Sequence, residues 1–216
     1  MTVSGVIFDL DGTLLDTIRG LANSMNVALT ERGFKGHSIE AYKGFVGRGI
    51  ENLVKYALPD GETDATVQGI LQAMRDHYAQ EWPRTTKPYP GVLEMLQGLF
   101  DRGMKVSILS NKPHKYTVQM VEVLLPGFPF DDVLGAREST PIKPAPDAAL
   151  EIARGWVLPP NKIAFVGDSD VDMETAVNAS MLPIGVMWGF RNAQELADSG
   201  GRVLVANVAD LLTVLT

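Results

Sequence analysis

Short apolar runs recur along the chain, and each is rich in β-branched residues and bounded by turn residues. Such near-continuous apolarity is typical of strands that are covered on both faces, as in parallel sheets. Amphipathic segments separate the runs, for example residues 90–102, where Leu93, Leu96 and Leu99 share one helical stripe. Strands that alternate with helices predict a parallel α/β sheet. The predicted strands are residues 3–10, 105–110, 162–167, 183–187 and 202–206.

The alternation stops between the first and the second predicted strand. Across residues 16–84, apolar residues recur at i, i+3, i+4 and i+7, which predicts helices and no strand. Residues 83–91 carry prolines and a glycine and form the predicted return linker. We therefore predict a core of residues 1–15 and 87–216, with a helical domain of residues 16–86 inserted after the first strand.

Two aspartates stand two positions apart at the end of the first predicted strand, in the stretch VIFDLDGTLLDT. Residues two apart in an extended chain point the same way, which puts Asp9 and Asp11 roughly 6–7 Å apart. Two carboxylates in one pocket repel each other unless a cation is near, and Mg²⁺ suits oxygen ligands. Gly12 would let the backbone approach an anion, and Thr13 adds a hydroxyl group. Aspartates that only cap a turn are the alternative, but that reading leaves their spacing unexplained.

Three later motifs place further polar residues after predicted strands or in a proline-stiffened loop. They are Ser110 and Asn111 in ILSNKP, Lys143 in PIKPAPD, and Asp168, Asp170 and Asp172 in FVGDSDVDMETA. Each motif alone also fits an ordinary turn or a solvated surface. If strands 1, 2 and 4 of the sheet carry these motifs and the strand order is 3-2-1-4-5, however, the carboxyl ends of strands 1 and 4 are neighbours. Asp9, Asp11 and Asp168 would then converge on one metal ion, with Ser110 and Lys143 beside them.

Composition narrows the classes of function. A net charge of −7 argues against a dedicated nucleic-acid binder and suits an enzyme that holds cations. The absence of cysteine excludes disulfides, zinc–thiolate sites and a cysteine nucleophile. The N-terminus lacks the basic region followed by an apolar stretch that is typical of a signal peptide. No run reaches the roughly 18 apolar residues of a membrane span. We therefore expect a cytoplasmic protein without a membrane partner.

Taken together, the motifs resemble those of the haloacid dehalogenase-like (HAD) hydrolase superfamily. DLDGTLLDT is similar to its first motif, Ser110 to its second, Lys143 to its third and GDSDVD to its fourth, in the expected order. The helical insert, ILSNKP, KPAPD and VMWGFRN resemble the phosphoglycolate phosphatase-like branch, which carries a helical C1-type cap. The resemblance implies an α/β fold with a Rossmann-like parallel core and an inserted all-helical cap. Ser180 departs from the pattern, which has glycine there, and this affects a local turn rather than the chemistry.

The resemblance also implies a Mg²⁺-dependent phosphatase that forms an aspartyl-phosphate intermediate. Asp9 would attack phosphorus, and Asp11 would protonate the leaving oxygen and then activate water. Dehalogenases lack an aspartate at the position of Asp11, which favours phosphoryl chemistry. The implied metal residues are Asp9 and Asp168, through their carboxylates, Asp11, through its backbone carbonyl, and Asp172. Asp172 either lies behind the direct ligands or holds Lys143. The implied phosphoryl-binding residues are Lys143, Ser110 and Asn111, alongside Gly12 and Thr13, whereas Asp170 is expected to be solvated.

The cap would select the substrate and exclude bulk water. Arg48 lies between two glycines before a predicted helix, where it either reaches a substrate carboxylate or second phosphate or belongs to an exposed turn. The expected partner is a small phosphorylated metabolite such as phosphoglycolate, and the chain would act as a monomer or homodimer. The alternatives are a β-phosphoglucomutase-like sugar phosphomutase, a pyrophosphatase and a non-catalytic phosphate-binding module. The insert shows no obvious His-plus-Lys pair for a hexose, and every catalytic residue type is present, which favours the phosphatase.

Overall fold

The computed structural model describes residues 3–215. The strands, in chain order, are β1 (Gly5–Phe8), β2 (Leu15–Asp16), β3 (Lys87–Pro88), β4 (Lys105–Pro113), β5 (Val133–Ala136), β6 (Ile163–Gly167), β7 (Leu182–Val186) and β8 (Val203–Val205). The helices are α1 (Ile18–Thr30), α2 (Ile39–Phe45), α3 (Ile50–Ala57), α4 (Asp64–Thr85), α5 (Val92–Asp101), α6 (His114–Leu124), α7 (Asp147–Trp156), α8 (Asp170–Asn178), α9 (Ala193–Asp198) and α10 (Val208–Leu215). A 3₁₀ turn, Pro160–Lys162, precedes β6.

Six of the strands form one parallel sheet in the order β5-β4-β1-β6-β7-β8. The central strand β1 pairs with both β4 and β6, so that Phe8 lies beside Ile108 and Val166. Val6 and Phe8 belong to one hydrophobic cluster and Ile7 belongs to another, because successive side chains point to opposite faces of the sheet. The strand is therefore covered on both faces, and the predicted parallel α/β fold is confirmed.

The sheet differs from the prediction most at one strand and at the end of β4, whereas the other strand ends differ by at most two residues. The prediction omits β5, which is four residues long and only partly buried. The strand β4 ends at Pro113 rather than at Ser110. When the sheet strands alone are numbered along the chain, their order is 3-2-1-4-5-6. This order contains the 3-2-1-4-5 arrangement on which the predicted convergence of site residues depends.

The four helices α1 to α4 follow one another between β2 and β3, and residues 18–85 are called the helical segment. Leu15 pairs with Pro88 and Asp16 pairs with Lys87, so the chain leaves and re-enters the sheet region at adjacent points. The segment shares one hydrophobic cluster with a face of the sheet. Helices therefore lie where the sequence predicts them, whereas the division into domains 1–15 plus 87–216 and 16–86 stays a prediction.

The helix α4 spans 22 residues and includes charged residues such as Arg75 and Glu81. Within residues 3–215, no helix combines the length and the apolar character that crossing a lipid bilayer requires.

Candidate active site

The carboxyl ends of β1, β4 and β6 bring three predicted site residues to one edge of the sheet. Asp9 follows β1, Ser110 lies near the end of β4, and Asp168 follows β6. The backbone N–H of Asp9 donates to the carbonyl oxygen of Val166 at 2.9 Å, which ties the start of the Asp9 loop to β6. In open parallel sheets, ligands bind at this edge, at the point where the strand order reverses.

Lys143 holds two of the predicted carboxylates together. Its Nζ donates to Asp9 Oδ1 at 2.7 Å and to Asp172 Oδ1 at 2.6 Å, and its side chain is only 4% exposed. Asp172 is fixed at the N-terminus of α8, where its Oδ2 accepts from the Ser169 N–H at 3.0 Å and hydroxyl at 2.6 Å. Of the two roles considered for Asp172, these contacts favour that of holding Lys143.

Asp168 is oriented by hydrogen bonds to both of its carboxylate oxygens. Thr13 Oγ1 donates to Oδ1 at 2.9 Å, and the Phe190 N–H donates to Oδ2 at 2.8 Å. Trp188 Nε1 donates in turn to the Thr13 carbonyl oxygen at 3.0 Å. We predicted that Thr13 binds substrate. Its hydroxyl is buried and orients the Asp168 carboxylate, and its contact with substrate stays a prediction.

Gly12 is required by close packing around the same carboxylate. Its φ of +88° lies in the region that favours glycine, and a Cβ atom there would lie 2.3 Å from Asp168 Oδ2. Its N–H donates to the Leu15 carbonyl oxygen at 2.9 Å rather than to a ligand. Gly12 therefore lets the backbone approach the carboxylate of Asp168. A Cβ on Gly189 would similarly lie 2.2 Å from the Asp168 Cβ, a constraint that sequence reasoning missed.

Asp9, Asp168 and Asp172 form a cluster of buried carboxylates that could hold a metal ion. One oxygen from each lies within 4.8 Å of the others. The cluster offers only oxygen donors, which Mg²⁺ prefers. Lys143 neutralises one of the three negative charges, and an unneutralised charge is costly to bury. The residues therefore fit a bound Mg²⁺ ion.

Burial and mutual repulsion change the pKa values within this cluster. Burial is the largest cause for Asp9, whose pKa rises to about 7 because the attraction of Lys143 only partly offsets burial and the repulsion from Asp172. Burial, Asp172 and Asp9 together raise the pKa of Asp168 well above its usual range. Burial alone would lower the pKa of Lys143, but Asp172 and Asp9 outweigh burial and raise it. Carboxylates in such surroundings are those that a divalent cation would stabilise in the ionised form.

Ser110 and Asn111 both border the site, but their hydrogen bonds differ. Ser110 Oγ accepts from the Lys112 N–H at 3.3 Å, which leaves the hydroxyl hydrogen for another acceptor. Asn111 Nδ2 donates to the carbonyl oxygens of Gly47 and Lys143, each at 2.9 Å, and Oδ1 accepts from the Lys143 N–H at 2.9 Å. Both amide hydrogens of Asn111 are thus occupied. These contacts join the Lys143 loop to the helical segment, and the phosphate contact of Asn111 stays a prediction.

A buried lysine to which sequence reasoning gave no role lies beside Asp11. Lys112 Nζ donates to both Asp11 carboxylate oxygens and to the Tyr78 hydroxyl, each at 3.0 Å. The Lys112 side chain is 4% exposed and that of Asp11 is 12% exposed. The available signal was a lysine at the end of an apolar strand, in ILSNKP. Tyr78 gave no such signal, since its position fits the apolar stripe of a helix.

A cavity of about 60 Å³ lies between this edge of the sheet and the helical segment. Apolar side chains of the helical segment cover it, and polar side chains of the sheet edge lie below. The covering residues include Leu21, Val46, Ile50 and Leu53, and the polar residues are Asp9, Asp11, Ser110, Asn111, Lys112, Lys143, Asp168 and Ser169. The helical segment thus shields the carboxylates from water, as a cap over an active site would.

Arg48 does not line this cavity, although Gly47 and Gly49 on either side of it do. Its Nη2 donates to Asp170 Oδ2 at 2.7 Å, and Arg191 Nε lies 3.2 Å from Asp170 Oδ1. The Arg48 guanidinium group is thus directed to Asp170 and away from the cavity, and its contact with substrate stays a prediction. The expectation that Asp170 is solvated is wrong, since it is paired with two arginines.

Known proteins match the chain over most of its length. Residues 6–186 match the haloacid dehalogenase-like hydrolase family. The phosphoglycolate phosphatase of Pseudomonas putida is 29% identical over 212 residues, which cover 96% of this chain and 78% of that protein. The phosphoglycolate phosphatase of Mannheimia succiniciproducens is 28% identical over 215 residues, covering 96% of each chain. A crystal structure of a candidate phosphoglycolate phosphatase from Lactobacillus delbrueckii subsp. bulgaricus superimposes with a TM-score of 0.93 at 32% identity, over 100% of this chain and 99% of that one.

The chain therefore belongs to the haloacid dehalogenase-like hydrolase family. Within that family, its similarity to phosphoglycolate phosphatases identifies it as an enzyme of the phosphatase class. The family resemblance predicted from the four motifs is thus confirmed. The roles of the individual site residues remain predictions.

Proposed function

We propose that the chain hydrolyses the phosphomonoester of a small metabolite, with Mg²⁺ as cofactor and Asp9 as nucleophile. One observation carries the proposal, namely the buried pairing of Asp9 with Lys143 beside Asp168, below a cavity that the helical segment covers. Phosphoryl transfer depends chiefly on positioning and on stabilisation of charge. A buried lysine fixed between carboxylates supplies both.

In the first step, Asp9 attacks phosphorus. Because Lys143 binds Oδ1, the attacking oxygen is Oδ2. A bond forms between Oδ2 and phosphorus, the bond from phosphorus to the leaving oxygen breaks, and Asp11 gives its proton to that oxygen. The products are an aspartyl phosphate and an alcohol. Lys143 and the Ser110 hydroxyl bind the equatorial phosphoryl oxygens.

In the second step, water attacks the phosphorus of the aspartyl phosphate and gives a proton to the Asp11 carboxylate. The bond from phosphorus to Oδ2 breaks, so inorganic phosphate leaves and both aspartates return to their starting states. Lys143 stabilises the Asp9 carboxylate as it re-forms, since its Nζ already lies 2.7 Å from Oδ1.

The carboxylates of Asp9 and Asp168 and the backbone carbonyl of Asp11 would hold the Mg²⁺ ion. When bound, the ion offsets the repulsion between the attacking carboxylate and the phosphate dianion. Thr13 and the Phe190 N–H hold the Asp168 carboxylate in one orientation. Asp172 acts through Lys143, whose ammonium group it fixes.

Phosphoglycolate is the leading substrate, and the names of the relatives from Pseudomonas and Mannheimia support it. The small cavity also favours a small leaving group. A sugar phosphomutase, a pyrophosphatase and a non-catalytic binding module remain the alternatives that an assay must separate.

The test is phosphate release from phosphoglycolate, hexose phosphates and pyrophosphate, with Mg²⁺ or with EDTA. We expect Mg²⁺-dependent release that falls by at least about 10³-fold in Asp9→Asn, since this change removes the nucleophile. Asp131→Asn is the matched control, because that carboxylate pairs with the exposed Lys105 instead. Release from no compound would contradict the proposal. Conversion of β-glucose 1-phosphate to glucose 6-phosphate without release would identify a mutase instead.

A further inference from the structure

Three groups from three parts of the fold meet in one contact beside the site. Asp11 follows β1, Lys112 lies near the end of β4, and Tyr78 belongs to α4 in the helical segment. Lys112 Nζ lies 3.0 Å from each carboxylate oxygen of Asp11 and 3.0 Å from the Tyr78 hydroxyl. An ammonium group has three hydrogens to donate. These three contacts therefore use every donor that Lys112 has.

The contact is buried, and this restricts how Lys112 can move. Lys112 and Tyr78 are both almost fully buried. The Tyr78 ring is packed edge-on against Tyr116, with ring centroids 6.1 Å apart. A buried donor that loses its acceptor is strongly unfavourable, so the Tyr78 hydroxyl fixes where the ammonium group lies. The ammonium group in turn fixes the Asp11 carboxylate through both oxygens.

We propose that Lys112 and Tyr78 are positioning residues that set the orientation of the Asp11 carboxylate for proton transfer. The inference rests on the proposed role of Asp11 as proton donor and acceptor. A proton donor must lie within about 2.6–3.2 Å of the leaving oxygen, so rotation of its carboxyl group decides whether transfer occurs. The helical segment, through Tyr78, thereby takes part in assembling the acid–base group.

This arrangement couples proton transfer to the position of the helical segment. If the segment moves away from the sheet, Tyr78 leaves Lys112, and the ammonium group that contacts the Asp11 carboxylate is no longer fixed in place. Asp11 is then correctly oriented only when the segment also covers the carboxylates and excludes water. A purely structural pairing of Lys112 with Asp11 would affect stability instead, without selecting between substrates.

The experiment compares two substrates that differ in their need for a proton. The leaving group of phosphoglycolate is the alkoxide of glycolate unless its oxygen is protonated, whereas the leaving group of para-nitrophenyl phosphate is the stable para-nitrophenolate ion. We expect Tyr78→Phe to lower kcat for phosphoglycolate by about 10- to 100-fold, with KM unchanged within about two-fold. The single-turnover burst of para-nitrophenolate should remain within about three-fold of the wild type, because this step does not require the proton. Lys112→Met should show the same pattern with a larger loss.

Two further variants decide the interpretation. Tyr42→Phe is the matched control, since it removes a buried tyrosine hydroxyl of α2 that donates to Asn26 Oδ1 at 2.6 Å, outside the cavity. Its kinetics should match the wild type. Equal losses on both substrates in Tyr78→Phe, or wild-type kinetics in that variant, would overturn the inference. Asp11→Asn distinguishes failure of the proposed acid–base role from failure of this inference. Normal turnover of phosphoglycolate by Asp11→Asn would remove the proposed acid–base role. Slow turnover by Asp11→Asn, together with wild-type kinetics in Tyr78→Phe, would remove only this inference.

Discussion

At the scale of single residues, buried negative charge dominates the site. Asp9, Asp168 and Asp172 share one edge of the sheet, and Lys143 is the cation that contacts two of them. Their other polar neighbours are neutral donors, such as the Thr13 hydroxyl, which orient the carboxylates without neutralising them. A site of this kind is costly to maintain unless a cation joins it.

The raised pKa of Asp9 makes the stability of the metal-free protein depend on pH. In the folded chain its pKa is about 7, against an ordinary value of 3.8. Between these values the folded state holds a proton that the unfolded state has lost. The resulting stability is fully present below the ordinary pKa and is lost as the pH rises through about 7.

Magnesium ions should therefore stabilise the protein more at high pH than at low pH. Mg²⁺ binds the ionised carboxylate, so it restores the stability lost above the pKa and competes with a proton below it. We expect Mg²⁺ to raise Tm by several degrees at about pH 8 and by little at about pH 6. Thermal unfolding with Mg²⁺ or EDTA measures this. Asp168→Asn should remove most of the shift, and an equal shift at both pH values would contradict the argument.

Sequence reasoning found the charged residues of the site except Lys112, and it did not find all of their contacts. Asp9 contacts Lys143 and lies near Asp168, since the strand order places the ends of β1 and β6 side by side. Sequence reasoning did not predict the contacts of Thr13 and Asn111, whose donors are bound to Asp168 and to backbone carbonyls. Residue type shows that a side chain can donate a hydrogen bond, but only the folded chain shows which acceptor it meets.

At the scale of single elements, backbone strain lies just after the helices α7 and α8. The residue after α7, Val157, has a φ of +55°, and Ser180, after α8, has a φ of +58°. Both belong to Schellman motifs, in which the residue following the helix adopts the left-handed conformation that favours glycine. At α8, for example, Met181 donates to Ala176 and Ser180 donates to Val177. This explains why the family pattern has glycine where this chain has Ser180, and the departure affects a turn, as expected.

Replacing Val157 by glycine should stabilise the protein. A left-handed conformation costs an L-residue about 1–2 kcal/mol, and a β-branched residue is at the upper end. Glycine removes that cost but adds about 0.5–1 kcal/mol of unfolded-state entropy, so the net gain is about 1 kcal/mol. Val157 is 87% exposed, so little burial is lost. Thermal unfolding should show Tm raised by about 2–4 °C.

Val157→Ala is the control for this prediction. It removes the β-branch but keeps a Cβ atom in the left-handed region, so its gain should be smaller than that of Val157→Gly. A lower Tm for the glycine variant would mean that the valine side chain contributes packing that outweighs the strain.

The strand β5 shows what local patterns cannot predict about an element. It has four residues and includes Gly135, so neither its length nor its composition stands out from the surrounding loop. A Cβ on Gly135 would lie 2.5 Å from the His114 Cα, so the glycine lets β5 approach the start of α6 closely. The strand forms because β4 offers a free edge, as in the pairing of Leu109 with Leu134. This pairing depends on tertiary structure, so the pattern of apolar residues within a short stretch of sequence does not predict the strand.

At the scale of the whole molecule, polar contacts join the helical segment to the sheet core beyond the paired strands β2 and β3. Asp170 of α8 accepts from Arg48 of the segment at 2.7 Å and pairs with Arg191 at 3.2 Å. Arg191 also donates to the backbone carbonyl oxygens of Lys43, Gly44 and Val46, at the end of α2. A single arginine of the core therefore holds the end of a helix that belongs to the segment.

Removing Arg191 should loosen the segment without disturbing the carboxylate cluster. Charge-assisted hydrogen bonds contribute about 1.5–3 kcal/mol each, so Arg191→Ala reduces the population in which the segment covers the site. We expect the backbone amides of residues 43–49 to exchange with solvent about ten-fold faster. We also expect kcat/KM for phosphoglycolate to fall by about three- to ten-fold, since only the closed form excludes water and orients Asp11.

Arg137→Ala provides the comparison, because it breaks an arginine–carboxylate pair that lies within the core. Arg137 Nη2 contacts Glu151 at 2.7 Å, and neither residue belongs to the helical segment. Hydrogen exchange at residues 43–49 should match the wild type in this variant. If both variants accelerate exchange there equally, the effect is a general loss of stability. If Arg191→Ala exchanges as the wild type does, the packing of the shared hydrophobic cluster closes the segment without help from these ion pairs. The proposed link between closure and Asp11 would then rest on Tyr78 and Lys112 alone.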